Sequence, residues 1–194
     1  MESSVNLKNI EFWGKHAVII EKLSVTQDNI NSLGYNKPPL FNRILDTMFI
    51  SGLIGLICKK KGAIDKSINK KKIIFSDTVY NNINDINFYS AIPIIKERDL
   101  SKTIEVKRAL FTEGEENYMN ERFKVFYSYV LGGLEILDKK ILKQYEDNSD
   151  IESELDIFSK FEDFLEELLG ESQSNDLDLD IDLDLGGENN INSF

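Results

Sequence analysis

The last 49 residues of this chain carry 17 Asp and Glu against a single Lys, whereas residues 1–145 carry 22 Lys and Arg against 17 acids. Charge asymmetry of this kind points to an acidic tail at −16 on a modestly basic body of 145 residues at +5. A body of that size buries roughly two thirds of its unfolded surface and needs no covalent staple. Cys58 is the only cysteine, so an intramolecular disulfide and a CxxC metal knuckle are both excluded. A lone thiol fits a reducing compartment, and a cytoplasmic location is the expectation. Met1–Lys8 is polar and leads into no apolar stretch, so no secretory signal is expected. The most apolar run, Met48–Cys58, has eleven residues. A bilayer takes about 20, so no membrane role is expected.

Periodicity places the clearest core helix at Asn42–Lys60, where Ile44, Leu45, Met48, Phe49, Leu53, Leu56 and Ile57 recur at three- and four-residue intervals. Gly52 and Gly55 each cost about 1 kcal/mol in a helix interior, and close approach of a second helix is the compensation expected. Lys59, Lys60 and Lys61 suit the negative end of the helix dipole, with Gly62 as the C-terminal cap. Before this helix, Asn9–Leu23 reads as a short helix or strand interrupted by Gly14. Residues 24–33 offer a helical turn capped by Thr26 or Asp28, and Gly34–Pro39 a turn. After it come a basic loop at 63–72, a short strand at Ile73–Phe75 and a helix capped by Ser76 or Asp77. Turn chemistry follows at Asn81–Asn87, then an apolar stretch Phe88–Ile95 containing Pro93. Helices are expected at Arg98–Phe111 and, after a break at Thr112–Glu115, at Glu116–Gly132. A corner at Gly132–Gly133 leads into Leu134–Tyr145.

Beyond a polar hinge, Asp150–Gly170 reads as an amphipathic helix with Ile151, Leu155, Phe158, Phe161, Leu165 and Leu168 or Leu169 along one face, ended by Gly170. Leu177–Leu185 then alternates strictly as LDLDIDLDL, the pattern of a disordered interaction segment or of a strand added to a sheet edge. The fold class is mainly α: a compact helical domain with one or two short strands, an acidic C-terminal helix and a disordered tail. The divisions are an extension at 1–40, a helical accessory domain at 41–145, the acidic helix at 146–170 and the acidic tail at 171–194.

Chemistry-bearing motifs are sparse. His16 is the only histidine and Cys58 lies 42 positions away, a poor start for a metal site or a nucleophile–base pair. His16 reads as structural or exposed, with a general-base role as the lesser alternative, and Cys58 as a small hydrophobe inside its helix. Glu113, Glu115 and Glu116 can attract a hard cation. The aspartates at 178, 180, 182 and 184 lack the turn glycine and bidentate glutamate of a calcium loop. No Walker loop and no dinucleotide fingerprint occurs, and no cofactor or metal is expected. The basic stretch is the stronger signal. Lys59, Lys60, Lys61, Lys66, Lys70, Lys71 and Lys72 face only Asp65 within fourteen residues, an anion-facing patch for DNA phosphates or simply a solvated loop. Leu155, Phe158, Phe161, Leu165 and Leu168, with Asp178, Asp180, Asp182 and Asp184, are the candidate partner-binding residues of the arm. That arm can also compete for the lysines as a tethered polyanion, or serve only as a solubilising tail.

Three stretches carry a family resemblance. They are MFISGLIGL at Met48–Leu56 followed by KKKG at Lys59–Gly62, ALFTEGE at Ala109–Glu115, and FYSYVLGGLEIL at Phe126–Leu137. Together they resemble the small accessory proteins of DNA phosphorothioation (Dnd) loci, the DNA phosphorothioation-associated protein four family, over about half the chain. The first 40 residues and the acidic arm depart from that compact pattern. The resemblance implies a bacterial antiviral-defence or restriction-modification context and supplies no catalytic residues. The expectation is a non-enzymatic accessory protein that binds other subunits of a defence or DNA-modification complex, with DNA as a second ligand. The alternatives are a protein–protein adaptor whose acidic arm docks on a basic partner, with no nucleic-acid role, and a metal-dependent enzyme using scattered acids.

Overall fold

The computed structural model describes residues 8–26, 39–97, 116–143 and 154–175, with the side chains of 97, 116–121, 154–155 and 171–175 left aside. Strand β1 (Ile10–Trp13) leads straight into helix α1 (Gly14–Leu23). Helix α2 (Ile44–Ile57) follows, then strand β2 (Lys71–Ile74), helices α3 (Ser76–Asn81) and α4 (Ile83–Glu97), α5 (Glu116–Leu137) with a π-helical turn at Asp138–Leu142, and α6 (Glu154–Asn175). The mainly helical class holds, with β1 and β2 forming a two-stranded antiparallel sheet in the register Ile10↔Ile74 to Trp13↔Lys71.

The centre of the body is the crossing of α2 and α5, which the glycines make possible. A Cβ on Gly55 would collide with the Tyr129 carbonyl, and one on Gly133 with the Ser51 carbonyl, so each helix lies backbone to backbone against the other. The Phe126 ring covers Gly52, and Gly132 abuts the Lys60 carbonyl. The compensation expected for Gly52 and Gly55 is therefore present. The corner expected at Gly132–Gly133 is not: α5 runs unbroken through both glycines, which serve as a contact surface rather than a bend.

Around this seam Met48, Ile54, Phe126, Val130, Leu131, Leu134, Leu137 and Ile141 are all at or below 2% exposure. The other wall of the same core comes from Phe12, Ile20 and Leu23, so residues 10–23 belong to the body rather than to an N-terminal extension. Their ambiguous pattern resolves into strand then helix at Gly14, whose φ of +57° is open to glycine and strained for other residues. Val25 N–H donates to Phe41 O and Phe41 N–H to Leu23 O, both at 2.8 Å, while the Ser24 and Thr47 hydroxyls pair at 2.6 Å, which ties the end of α1 to α2.

Several local expectations shift. Helix α2 is capped not by Gly62 but by Lys59 in the left-handed region (φ 51°), with Lys60 N–H donating to Gly55 O at 2.8 Å and Lys59 N–H to Leu56 O at 3.1 Å, a Schellman arrangement. Gly62 instead lets the basic loop lie on α5, its N–H donating to Ser128 O at 2.8 Å. The Asn81–Asn87 stretch is only one turn residue long before α4 begins, and α4 carries Pro93 inside it. The acidic helix continues through Gly170 to Asn175. The expectations for 27–38, 98–115, 144–153 and the tail from 176 onward lie outside the described residues.

A test follows from the seam. Gly133→Ala inserts a methyl into a backbone contact and should cost about 3 kcal/mol or more. Gly170→Ala meets nothing within 4 Å and should raise stability by about 0.5–1 kcal/mol. Chemical denaturation of the two full-length variants reads both; equal effects would contradict the packing described.

Candidate functional site

The lysine loop is held on the body by acids that lie far away in sequence. Lys60 pairs with Glu135 of α5 at 3.0 Å, Lys71 with Glu11 of β1 at 2.6 Å, and Lys72 with Glu21 of α1 at 3.6 Å; Lys70 also pairs with Glu21. Two lysines bracket the indole of Trp13, Lys71 at 4.7 Å and Lys66 at 5.8 Å from its ring, and Lys61 stands 4.9 Å over Tyr129. Lys59 is exposed. The sequence-local count, seven lysines facing Asp65 alone, missed Glu11, Glu21 and Glu135, which only the fold brings in. Each exposed pair is worth roughly 0–1 kcal/mol, so the pairs orient the lysines more than they remove their field.

Glu135 is the hub. It accepts from Lys15 at 2.8 Å, Lys60 at 3.0 Å and His16 Nε2 at 3.3 Å, joining α1, the loop after α2, and α5. Burial opposes its ionisation, but the hydrogen bonds and charges of Lys15 and Lys60 overcome that and bring the carboxyl down to about 2. His16 is fully enclosed, and burial lowers its pKa against the pull of Glu135, so the neutral ring is the resident form. Its enclosure fits the structural reading, since a proton acceptor at zero exposure has no path to a reactant. Asp65, hydrogen-bonded by Ser67 and by the Lys15 backbone N–H, is held down to about 2 and pins the loop at the Gly14 junction.

Beside β1 lies an open groove of about 670 Å³ whose walls include Lys8, Glu11, Trp13, Ile64, Phe123 and Tyr127. Tyr127 O–H donates to Glu11 O at 2.5 Å, and burial pushes its phenol well above the ordinary value. Ile64 in the groove wall remains 54% exposed, and Ile68 further along the loop 53%. A smaller cleft of about 290 Å³ separates α6 from the body, lined by Cys58, Lys60, Glu135, Lys140, Phe164 and Leu168 among others. Cys58 is exposed there, at the end of α2, not packed inside the helix as its apolar neighbours suggest. No group of three or more His, Cys, Asp or Glu placed to hold a metal occurs among the described residues.

The acidic helix uses its apolar stripe on its own body. Ile157, Phe164 and Leu168 are buried in the common core, Phe161 sets its ring edge-on to Phe41 at 5.6 Å, and Lys140 pairs with Glu167 at 3.0 Å. Of the candidate partner-binding residues, Leu168 and Phe161 are thus committed internally, Leu165 is half-buried and Phe158 is exposed. The buried line 157/161/164/168 keeps Phe161 and Leu168 of the expected stripe and puts Ile157 and Phe164 in place of Phe158 and Leu165, because α6 is apolar over a wide arc and the receiving surface selects the line. Leu155 and the aspartates at 178, 180, 182 and 184 lie outside the described side chains. The aromatic residues Phe75, Tyr80 and Phe88, which sequence reasoning did not single out, are 64%, 66% and 65% exposed.

The hub makes stability pH-dependent in a stated direction. Both His16 and Glu135 have folded pKa values below their ordinary ones, so the unfolded chain binds more protons and acid destabilises. His16 contributes fully above 6.5 and progressively less below it; Glu135 contributes above 4.5 and loses its share as pH falls toward about 2. Glu135→Gln should cost about 1–2 kcal/mol at neutral pH and flatten the lower limb of the pH–stability curve. Denaturant titrations from pH 8 to pH 3 check this, and an unchanged lower limb in the variant would contradict it.

No helix among the described residues is long and apolar enough to cross a membrane. Comparison with protein-family models, with curated proteins and with solved structures returns no match.

Proposed function

We propose that this chain is a non-catalytic accessory protein of a bacterial DNA-modification or phage-defence system, acting in the cytoplasm as an adaptor for other protein subunits. The observation that carries the adaptor reading is the 75–97 stretch. It leaves Phe75, Tyr80 and Phe88 about two thirds exposed while Tyr89, next to Phe88, stacks on Phe49 of α2 at 4.3 Å. Large aromatics held on a rigid body and left in water are the usual anchors of protein interfaces. The DNA-modification context rests on the resemblance of Leu45–Ile141 to the Dnd-associated family.

Protein is the primary ligand in this reading. Lys60, Lys70, Lys71 and Lys72 already have acidic partners in the body. Phosphate contact must therefore break or share those pairs, and DNA is at most a second, strongly salt-dependent ligand.

The test is co-purification of the tagged full chain with the products of its neighbouring genes, alongside a salt titration of labelled duplex. The expected outcome is capture of a modification or nuclease subunit that weakens roughly tenfold or more in a Tyr80→Ser, Phe88→Ser variant, with duplex binding lost near physiological salt. Failure to capture any such subunit, or capture indifferent to the two substitutions, would overturn the adaptor reading.

A further inference from the structure

We propose that the outer flank of α6, the line Phe158, Glu162, Leu165 and Leu169, is a docking face for a cationic amphipathic helix of another protein. Two observations carry it: the width of the apolar arc and the charges along its edge.

The first is the arc. Ile157, Phe161, Phe164 and Leu168 recur at i, i+4, i+7 and i+11, and this line packs α6 on the body. Phe158, Glu162, Leu165 and Leu169 repeat the same spacing one position further on. At about 100° per residue the packed line occupies roughly 60° of the helix, and Leu165, Phe158 and Leu169 fill about the next 80°. A helix built only to cover the body needs no apolar surface beyond Phe161. Here Phe158 and Leu169 stand about half exposed, and Leu165 is half-buried. Because Phe161 meets Phe41 edge-on, half-buried Phe41 extends the same ledge onto the body. From Phe158 to Leu169 the line is about 16 Å long. That length suits a second helix laid alongside, with its own apolar residues at the same spacing.

The second is charge. Over 156–170 the helix carries five acids and one lysine. Glu167 lies on the far side of the packed line and is engaged by Lys140. Glu162 and Glu166 border the exposed flank instead. Both are exposed, and neither enters an ion pair among the described residues. An apolar line edged by such carboxylates is complementary to a helix with apolar residues on one face and Lys or Arg beside them. Charges flanking an apolar seam are what set partner choice in paired helices. The same charges disfavour a second copy of this chain, because α6 laid on α6 sets acid against acid.

The probe is a labelled synthetic helix of about 18 residues, five turns, with leucines at i, i+4, i+7 and i+11 and lysines and alanines elsewhere. Fluorescence anisotropy measures its binding to the full-length wild type and to two full-length variants. One carries Phe158→Ser and Leu169→Ser, the other Glu162→Gln and Glu166→Gln. All of these side chains are exposed, so both variants should keep the wild-type denaturation midpoint. Expected is saturable binding to the wild type that weakens roughly tenfold or more in each variant, and no saturable binding of a peptide of the same composition in scrambled order. The acidic tail is present in all three proteins, so adsorption to it gives equal affinities. Equal affinities, or a scrambled peptide that binds as tightly, would overturn the proposal. Sedimentation showing a wild-type dimer that the Phe158→Ser, Leu169→Ser variant dissolves would overturn the partner, by giving the flank to a second copy. This readout is independent of partner capture through Tyr80 and Phe88, so the two readings fail separately.

Discussion

Everything in this body is arranged around two helices whose backbones touch. Gly55 against the Tyr129 carbonyl and Gly133 against the Ser51 carbonyl set an interhelical distance that no other residue type permits. Each glycine gives up about 1 kcal/mol of helix propensity; the approach offsets that by letting Met48, Ile54, Phe126, Val130 and Leu134 close over the seam from both sides. Because α5 is held so near the end of α2, the chain leaving α2 must turn at once. Lys59 takes the left-handed conformation, and Gly62 lies flat on α5 at Ser128. The lysine loop is thus placed by the same contact that builds the core.

That placement decides what the lysines can do. A basic loop drawn over the sheet and α1 meets Glu11, Glu21 and Glu135, and the carboxylates fix side chains that would otherwise wander in solvent. Glu135 shows the coupling most clearly, because one carboxylate holds the end of α2, the start of α1 and a buried neutral histidine. The loop keeps a positive excess but acquires direction, toward Trp13 and the groove beside it.

How much of this was legible beforehand depends on the distance over which the information acts. The core helix at 44–57 and the meaning of Gly52 and Gly55 were readable, because periodicity and helix propensity are local. The role of Gly132–Gly133 was not: a glycine pair reads equally as a corner or a contact, and only the partner backbone decides. The strand-then-helix path of residues 10–23 hid behind mixed spacing, because the switch sits on the positive φ of Gly14. Counter-charges for the lysines arrive from up to 75 positions away, beyond any windowed count. The acidic helix was recognisable, and so were Phe161 and Leu168 of its working stripe; Ile157 and Phe164 were not, since an apolar arc that wide has no preferred line until a surface receives it. The exposure of Phe75, Tyr80 and Phe88 was likewise invisible, because aromatic residues in a helical stretch read as core.

Native-state hydrogen exchange on the full chain tests the central claim, that the glycine seam of α2 and α5 is the keystone and α6 a dependent layer upon it. The account predicts that amides from Ser51 to Leu56 and from Tyr129 to Leu134 exchange only through global unfolding, whereas those of α6, held by Ile157, Phe161, Phe164 and Leu168, open earlier and at lower free energy. Seam amides exchanging as readily as those of α6 would contradict it.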